Sequence, residues 1–163
     1  MALQLFKIAS TTVETPQASI DFNSIPSGYT DLCLVLSGRS TTTVDYCEVR
    51  FNGASTNLSG RYLYGNGSTV ASSTYQPFIY MNSSGNTANT FGNASIYVPN
   101  YAASNYKSIS IDSVYENNAT LAYTELQAGL WSSTSAINQV TLICTGASQN
   151  FAAGTTATLY GVL

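Results

Sequence analysis

Three carboxylates on two neighbouring strand-like segments come nearest, in residue type and spacing, to a catalytic arrangement. Asp112 and Glu116 have the same parity on one alternating segment, and Glu125 falls on the segment expected to pair with it. Two carboxyl groups flanking a glycosidic bond can catalyse its hydrolysis without any histidine. The simpler interpretation is that all three are solvated, outward-facing side chains, and we prefer it because the chain contains eight acidic residues in all.

Other catalytic and metal-binding arrangements lack their residues. The chain has no histidine, which removes the commonest general base and the usual metal ligand, and its three cysteines form no CxxC pair. Asp45 with Glu48, or Asp21 with Asn23, offers oxygen ligands for calcium, but no Asp-x-Asp-x-Asp-Gly loop accompanies them. We therefore predict a protein that is not an enzyme, with no catalytic residue, no metal and no cofactor.

The cysteines and the charges of the chain indicate which cellular compartment and which partners to expect. Cys33, Cys47 and Cys144 lie within apolar runs and are predicted to be buried free thiols. The net charge is −3 and the five basic residues are scattered, so neither nucleic acid nor an anionic membrane surface is an expected partner. The chain begins without a signal-like segment and contains no long apolar run, so we expect synthesis in a cytoplasm.

The elements that must position these residues are strands. Apolar residues alternate with polar ones, and no segment keeps a helical apolar stripe for three turns. We expect one domain over residues 1–163, an all-β, two-sheet antiparallel β-sandwich of jelly-roll type with about ten strands; another Greek-key sandwich is the alternative. The candidate strands are 2–9, 18–22, 31–37, 44–51, 61–64, 75–81, 95–98, 107–115, 121–130, 137–145 and 156–163.

Two further features of the pattern bear on the surface. The stretch from Gly53 to Thr74 is rich in Gly, Ser, Thr and Asn, and is predicted to be a long surface loop apart from a short strand around Arg61–Tyr64. Twelve tyrosines lie mostly in or beside strands. Tyrosine combines an apolar ring with a polar tip, so these residues suit subunit interfaces or sugar-binding faces, or else they close the edges of the core.

Several turn-and-strand motifs carry a family resemblance that spans nearly the whole chain. They are Ile25-Pro-Ser-Gly-Tyr-Thr-Asp-Leu32, Leu36-Ser-Gly-Arg39, Val49-Arg-Phe-Asn-Gly53, Phe91-Gly-Asn-Ala-Ser-Ile-Tyr-Val-Pro-Asn-Tyr101, Asn105-Tyr-Lys-Ser108, Asp112-Ser-Val-Tyr-Glu-Asn-Asn118 and Ala157-Thr-Leu-Tyr-Gly161. Together they resemble small virion surface proteins of tailed bacteriophages. The resemblance implies a β-sandwich on the outside of a phage particle.

The function implied by this resemblance is capsid decoration, in which a cement protein stabilises the phage head. The alternative is a receptor- or carbohydrate-binding module of a tail or head fibre. The resemblance also implies a homotrimer, the major capsid protein as partner, and a place on the capsid surface of the virion. The residues that we expect to contact the capsid or another subunit are Leu3, Leu5, Phe6, Arg61, Tyr62 and Tyr64.

Overall fold

The computed structural model describes residues 4–75, 78–116 and 122–163, and within them the chain forms twelve β-strands and no helix. Every strand pairing is antiparallel, and the strands divide into two sheets whose inner faces contribute to one hydrophobic core. The predicted all-β, two-sheet antiparallel sandwich is therefore confirmed. The described residues contain no helix that could span a membrane.

Eight strands form the larger sheet. Their order across the sheet is β1-β12-β3-β8-β9-β10-β5-β6. In chain order they are β1 (Leu5–Thr12), β3 (Asp31–Gly38), β5 (Leu58–Gly65), β6 (Val70–Tyr75), β8 (Gly92–Val98), β9 (Lys107–Glu116), β10 (Ala122–Trp131) and β12 (Thr156–Val162). The strands at the two edges of this sheet are β1 and β6.

Four strands form the smaller sheet, in the order β2-β11-β4-β7. They are β2 (Ser19–Phe22), β4 (Tyr46–Phe51), β7 (Phe78–Tyr80) and β11 (Val140–Ile143). The two sheets meet in the core, where the ring of Phe51 on β4 lies 5.6 Å from the ring of Trp131 on β10. Each fully buried Leu, Ile or Phe side chain in such a core stabilises the fold by about 1.5–3 kcal/mol.

The strands follow the alternation of the sequence closely. Strand β9 alternates buried and exposed residues over its whole length, from buried Lys107 to exposed Glu116. Side chains of a strand point to opposite faces in turn, so a strict alternation means that one face of β9 meets the core and the other meets solvent. At the end of β4, Asn52 and Gly53 adopt φ values of 51° and 72°, which Asn and Gly tolerate best, and the chain turns there.

Four details of the predicted fold differ from the structure. There are twelve strands in the described residues instead of about ten, and the first of them ends at Thr12 instead of residue 9, while residues 2 and 3 of that predicted strand lie outside the described residues. The predicted loop over 53–74 is wrong, because most of it is the hairpin of β5 and β6, which pairs with β10 through β5. The division into eight and four strands also leaves the jelly-roll topology unconfirmed, since a jelly roll has eight strands in two Greek keys.

The cysteine prediction is correct at two positions and wrong at the third. Cys47 and Cys144 are buried free thiols, whereas Cys33 is only half-buried. Leu32, Leu34 and Leu36 on β3 point into the core, so Cys33 and Val35 lie on the other face of the strand, where Val35 is 43% exposed. The run is apolar on both faces, as the sequence indicates, but only one of those faces is covered.

Candidate functional site

The three carboxylates with catalytic spacing lie on opposite faces of the larger sheet. Asp112 and Glu116 are exposed on its outer face, as we expected for solvated side chains, but Glu125 is only 3% exposed and faces inward. The reason is the register of β9 and β10: Glu125 pairs with Ser113, and Asp112 pairs with Leu126. The solvated interpretation is therefore wrong for Glu125, and the three carboxylates do not form a hydrolytic cluster.

Glu125 instead lies in a recess lined by tyrosines. The recess has a volume of about 150 Å³, and we call it the tyrosine recess; its lining residues are Tyr62, Tyr64, Tyr80, Tyr115, Tyr123 and Glu125. Tyr80 belongs to β7, the edge strand of the smaller sheet, and the other residues belong to three neighbouring strands of the larger sheet. The site lies where the inner face of the larger sheet meets the edge of the smaller one.

The five tyrosine rings contact one another in a closed circuit around this recess. Two contacts are nearly parallel stacks, with interplanar angles of 12° and 10°, and both involve Tyr115. The centroid distances are 5.8 Å for Tyr62–Tyr64, 6.0 Å for Tyr64–Tyr123, 4.9 Å for Tyr123–Tyr115, 6.0 Å for Tyr115–Tyr80 and 6.4 Å for Tyr80–Tyr62. These distances are typical of favourable aromatic pairs, so each ring helps to hold its neighbours in place.

The Glu125 carboxyl has few compensating partners. Among the described residues its hydrogen-bond contact is with Gln127, whose Nε2 lies 3.5 Å from Glu125 Oε2 and also donates to the Phe78 carbonyl oxygen. Burial, and after it the negative charge of Asp45, raises the pKa of Glu125 to about 7. The carboxyl group of Glu125 therefore changes its charge near neutral pH.

A second carboxyl group lies close to the recess. The Tyr115 hydroxyl is 3.5 Å from Asp45 Oδ2, and burial raises the pKa of Asp45 above its ordinary value. Burial and the charges of Asp45 and Glu125 also raise the pKa of the Tyr115 hydroxyl, so this phenol stays protonated. Opposite Glu125, the buried hydroxyl of Ser113 has no hydrogen-bond partner among the described residues. The site thus concentrates negative charge and incompletely satisfied polar groups beneath aromatic rings.

The outer face of the same strands carries exposed apolar side chains. Leu63, Val70, Val114 and Leu126, which we call the outer strip, are 47%, 75%, 37% and 58% exposed. Leu126 pairs directly with Leu63 across β10 and β5, and shallow grooves of about 190 and 390 Å³ run beside them. The strip is bordered by Arg61 and Asp112 on the same face, so it is an apolar patch with a sparsely charged rim.

The predicted contact residues separate into three groups. Arg61 is exposed beside the outer strip, whereas Tyr62 and Tyr64 turn to the inner face and line the tyrosine recess. Leu5 and Phe6 on the edge strand β1 are 52% and 40% exposed, with the Phe6 ring stacked 6.0 Å from the ring of Tyr29. Leu3 lies outside the described residues. The predicted contact residues that the structure describes therefore do not form one continuous surface.

Sequence reasoning missed the inward direction of Glu125 and the contribution of Asp45. A usable signal was present on β10, because Glu125 and Gln127 have the same parity as Trp131, whose large ring is the residue most expected to be buried. No signal in the sequence pointed to Asp45, since its proximity to Tyr115 depends on how the two sheets pack.

Possible metal ligands are dispersed. The described part of the chain contains no group of three or more His, Cys, Asp or Glu side chains suited to a metal ion. Of the calcium candidates, Glu48 forms an ion pair with Arg50 at 3.0 Å, and Asp21 accepts a hydrogen bond from Thr141 at 2.6 Å. Glu48 and Asp21, one from each candidate calcium pair, therefore have partners within the protein.

Comparison with known proteins yields no match: no protein-family model matches the chain, and no curated protein or solved structure is significantly similar to it.

Proposed function

We propose that the protein is a structural protein of a tailed-phage virion that decorates the capsid and stabilises the head. The observation that supports this best is the outer strip, in which Leu63, Val70 and Leu126 expose apolar surface side by side. Contiguous exposed apolar patches on soluble domains mark contacts with other proteins. Such a patch suits a protein that is held on a particle through its sheet face.

The polarity of β10 strengthens this proposal. Its apolar residues Leu126 and Leu130 point outward, and its polar residues Glu125 and Gln127 point inward, the reverse of the usual arrangement for a strand that covers a core. A local rule broken on both faces of one strand is expected where each face has a function besides folding. We assign the outer face to docking.

The proposed partners are the major capsid protein and further copies of this chain, as a homotrimer on the capsid surface of the virion. A symmetric assembly needs a second surface besides the one that meets the capsid. The exposed Leu5 and Phe6 on edge strand β1 lie at the opposite end of the larger sheet from β6, which makes them suitable for contact between subunits. No cofactor is required by this function.

The experiment is reconstitution of particles that lack the protein. Depleted particles should lose DNA at a lower temperature or under osmotic shock, and added wild-type protein should restore their stability. Leu126→Asp should fail to bind, because a charge in the outer strip would be desolvated on docking. Thr156→Asp is the matched control: Thr156 is also exposed on the larger sheet, but on β12, about 20 Å away across four strand spacings.

Two results would contradict the proposal. If Leu126→Asp protein binds and protects particles as well as the wild type, the outer strip is not the docking surface. If depleted particles keep full head stability and lose only adsorption to cells, the protein is not cement.

The second candidate function is a receptor- or carbohydrate-binding module of a tail or head fibre, and the tyrosine recess, a pocket for a small group on a receptor, favours the receptor-binding form. Aromatic rings beside a carboxylate are suited to small-molecule recognition on an exposed surface. This candidate expects stable heads and failed adsorption in depleted particles, the reverse of the result expected for cement.

A further inference from the structure

We propose that the tyrosine recess is a binding site for a small quaternary ammonium group, with the Glu125 carboxylate as its counter-ion. The inference does not rest on capsid decoration, because it concerns the inner face of β5, β9 and β10 and not the outer strip. It can be tested on the isolated protein, so that its failure and the failure of the docking proposal are separate results.

The first argument is the missing counter-charge. A buried carboxylate is normally paired with a cation or satisfied by several hydrogen bonds, and Glu125 has neither among the described residues. All five basic side chains of the protein are accounted for elsewhere. Arg39 and Lys107 donate to backbone carbonyls, Arg50 pairs with Glu48, and Lys7 and Arg61 are exposed on strands β1 and β5. No basic side chain of the protein is therefore placed to neutralise Glu125, so a cation bound to its ionised form would come from a ligand.

The second argument is the composition of the walls. An ammonium group over the face of an aromatic ring, within about 6 Å of its centroid, is attracted by it, and the attraction strengthens when the cation is desolvated. The tyrosine recess places five rings around one carboxylate in a volume of about 150 Å³, so a cation held there lies close to several rings. Asp45, in contact with Tyr115, adds a second negative charge to the same region.

The third argument is size, which separates a quaternary ammonium from a neutral sugar. A cavity of about 150 Å³ holds a molecule about as large as benzene, which has six heavy atoms. Tetramethylammonium, with about five heavy atoms, fits within this volume, whereas a pyranose with its hydroxyls has about twice as many atoms as benzene and would extend out of the recess.

A binding experiment with tetramethylammonium chloride on the purified wild-type protein tests the inference, with sodium chloride at equal ionic strength as the reference. Isothermal titration calorimetry at about pH 8 should detect binding, and NMR shifts of tyrosine ring protons should locate it. Glu125→Gln should weaken the affinity about tenfold by removing the charge while keeping the shape. The matched control, Asp112→Asn, removes a carboxylate from the outer face and should leave the affinity unchanged.

The pH dependence gives an independent readout that a merely structural Glu125 would not produce. The groups that face Glu125 are Asp45, Gln127 and the tyrosines of the recess. With the pKa of Glu125 at about 7, its ionised fraction falls about tenfold between pH 8 and pH 6, and the affinity should fall with it.

Methylammonium and glucose complete the test. Methylammonium should bind more weakly than tetramethylammonium, because a primary ammonium is more strongly hydrated and loses more hydration on entering the recess. Glucose should not compete. The proposal is overturned if tetramethylammonium does not bind folded wild-type protein, if Glu125→Gln or the pH change leaves its affinity unaltered, or if methylammonium or glucose binds as tightly.

Discussion

Lys107 is a charged side chain with no exposed surface, and its contacts explain why the fold tolerates it. Its Nζ donates hydrogen bonds to the carbonyl oxygens of Ala103, Asn105 and Ser135 at 2.7–2.8 Å, with a longer contact of 3.4 Å to Ser133. Burial lowers the pKa of Lys107, and the Trp131 ring lies 5.8 Å from the ammonium group. One side chain thus joins the segment before β9 to the segment after β10.

We expect Lys107→Met to lower the free energy of unfolding by about 2–4 kcal/mol, because methionine fills a similar volume but leaves the carbonyls without their donor. Urea denaturation followed by tryptophan fluorescence measures the change, and Trp131 is the single tryptophan. The control is Lys7→Met, at an exposed position of β1, which should change the stability by less than about 0.5 kcal/mol. Equal stability of the two variants would contradict the role assigned to Lys107.

Glu125, unlike Lys107, lowers the stability of the fold when it is ionised. Its pKa in the folded protein is about 7, raised from the ordinary 4.5, so folding favours the protonated form. The stabilisation of the folded state by the protonated Glu125 is complete below about pH 4.5. It is lost as the pH rises through about 7, and its upper limit is about 3 kcal/mol. Asp45, whose pKa is also raised, acts in the same direction.

Glu125→Gln should therefore be more stable than the wild type at about pH 8, by about 1–3 kcal/mol, and about equally stable near pH 4. Urea titrations at the two pH values measure the difference, and Asp112→Asn should show no comparable gain. A loss of stability in Glu125→Gln at about pH 8 would mean that the carboxylate has a stabilising partner.

At the scale of the element, pairing determines what each strand segment becomes. Strand β6 contains Val70-Ala-Ser-Ser-Thr-Tyr75, whose small polar residues are typical of loops. It is a strand because β5 pairs with β10, and β6 then extends the sheet by pairing with β5. Backbone hydrogen bonds to a neighbouring strand override a weak local preference, which is the usual behaviour of β-structure.

The alternation of β3 leads to a prediction about the thiols. Cys33 points to the outer face and its Sγ lies 3.9 Å from the Ser95 hydroxyl oxygen, whereas Cys47 and Cys144 point into the core. Burial raises the pKa of Cys144 to about 12 and that of Cys47 well above its ordinary value, so neither forms the reactive thiolate near neutral pH.

A thiol reagent such as a nitrobenzoate disulfide at about pH 8 should therefore modify one thiol of the native protein quickly and the other two only on unfolding. Cys33→Ser should abolish the fast reaction, which assigns it. Fast modification of two or three thiols, or of a thiol that remains in Cys33→Ser, would contradict the burial described for Cys47 and Cys144.

At the scale of the whole molecule, the different sizes of the two sheets leave three separate surfaces. The sheet of eight strands is wider than the sheet of four that faces it. Part of its inner face is therefore left uncovered beside the edge strand β7, and the tyrosine recess lies there. The outer strip lies on the opposite face of the same strands, and edge strand β1 lies at the far end of the sheet. A ligand, a capsid and a neighbouring subunit would thus each have a separate surface.

We expect the purified protein to form a homotrimer of about 52 kDa, three times the chain mass of 17.3 kDa, because few charges oppose close contact between subunits. Light scattering at micromolar concentration measures this mass. Leu5→Asp on β1 should shift the equilibrium towards monomer, while Ser10→Asp, exposed on the same strand, should not. A wild-type protein that is monomeric both in solution and on the particle would contradict the prediction.

The strands and turns were predictable from the sequence because their signals are local. Alternation from Lys107 to Glu116 defines β9. The Asn52-Gly53 turn ends β4, because Asn and Gly adopt the positive φ values of this turn at little cost. The absence of histidine and the scattering of the basic residues are likewise properties of composition that no fold can alter. The alternation and the turns carried the prediction of a two-sheet β-sandwich, and the composition carried the expectations about chemistry and partners.

Tertiary structure decided which face of each strand is covered and which residues meet. Alternation shows that the two faces of β10 differ, but Leu126 would have been the natural choice for the core, and the register with β9 placed Glu125 there instead. Strand pairing joins residues far apart in sequence, and a shift of one residue exchanges the faces. For that reason the tyrosine recess exists only once the two sheets have packed together, which brings Tyr80 of β7 and Asp45, just before β4, close to Glu125 of the larger sheet.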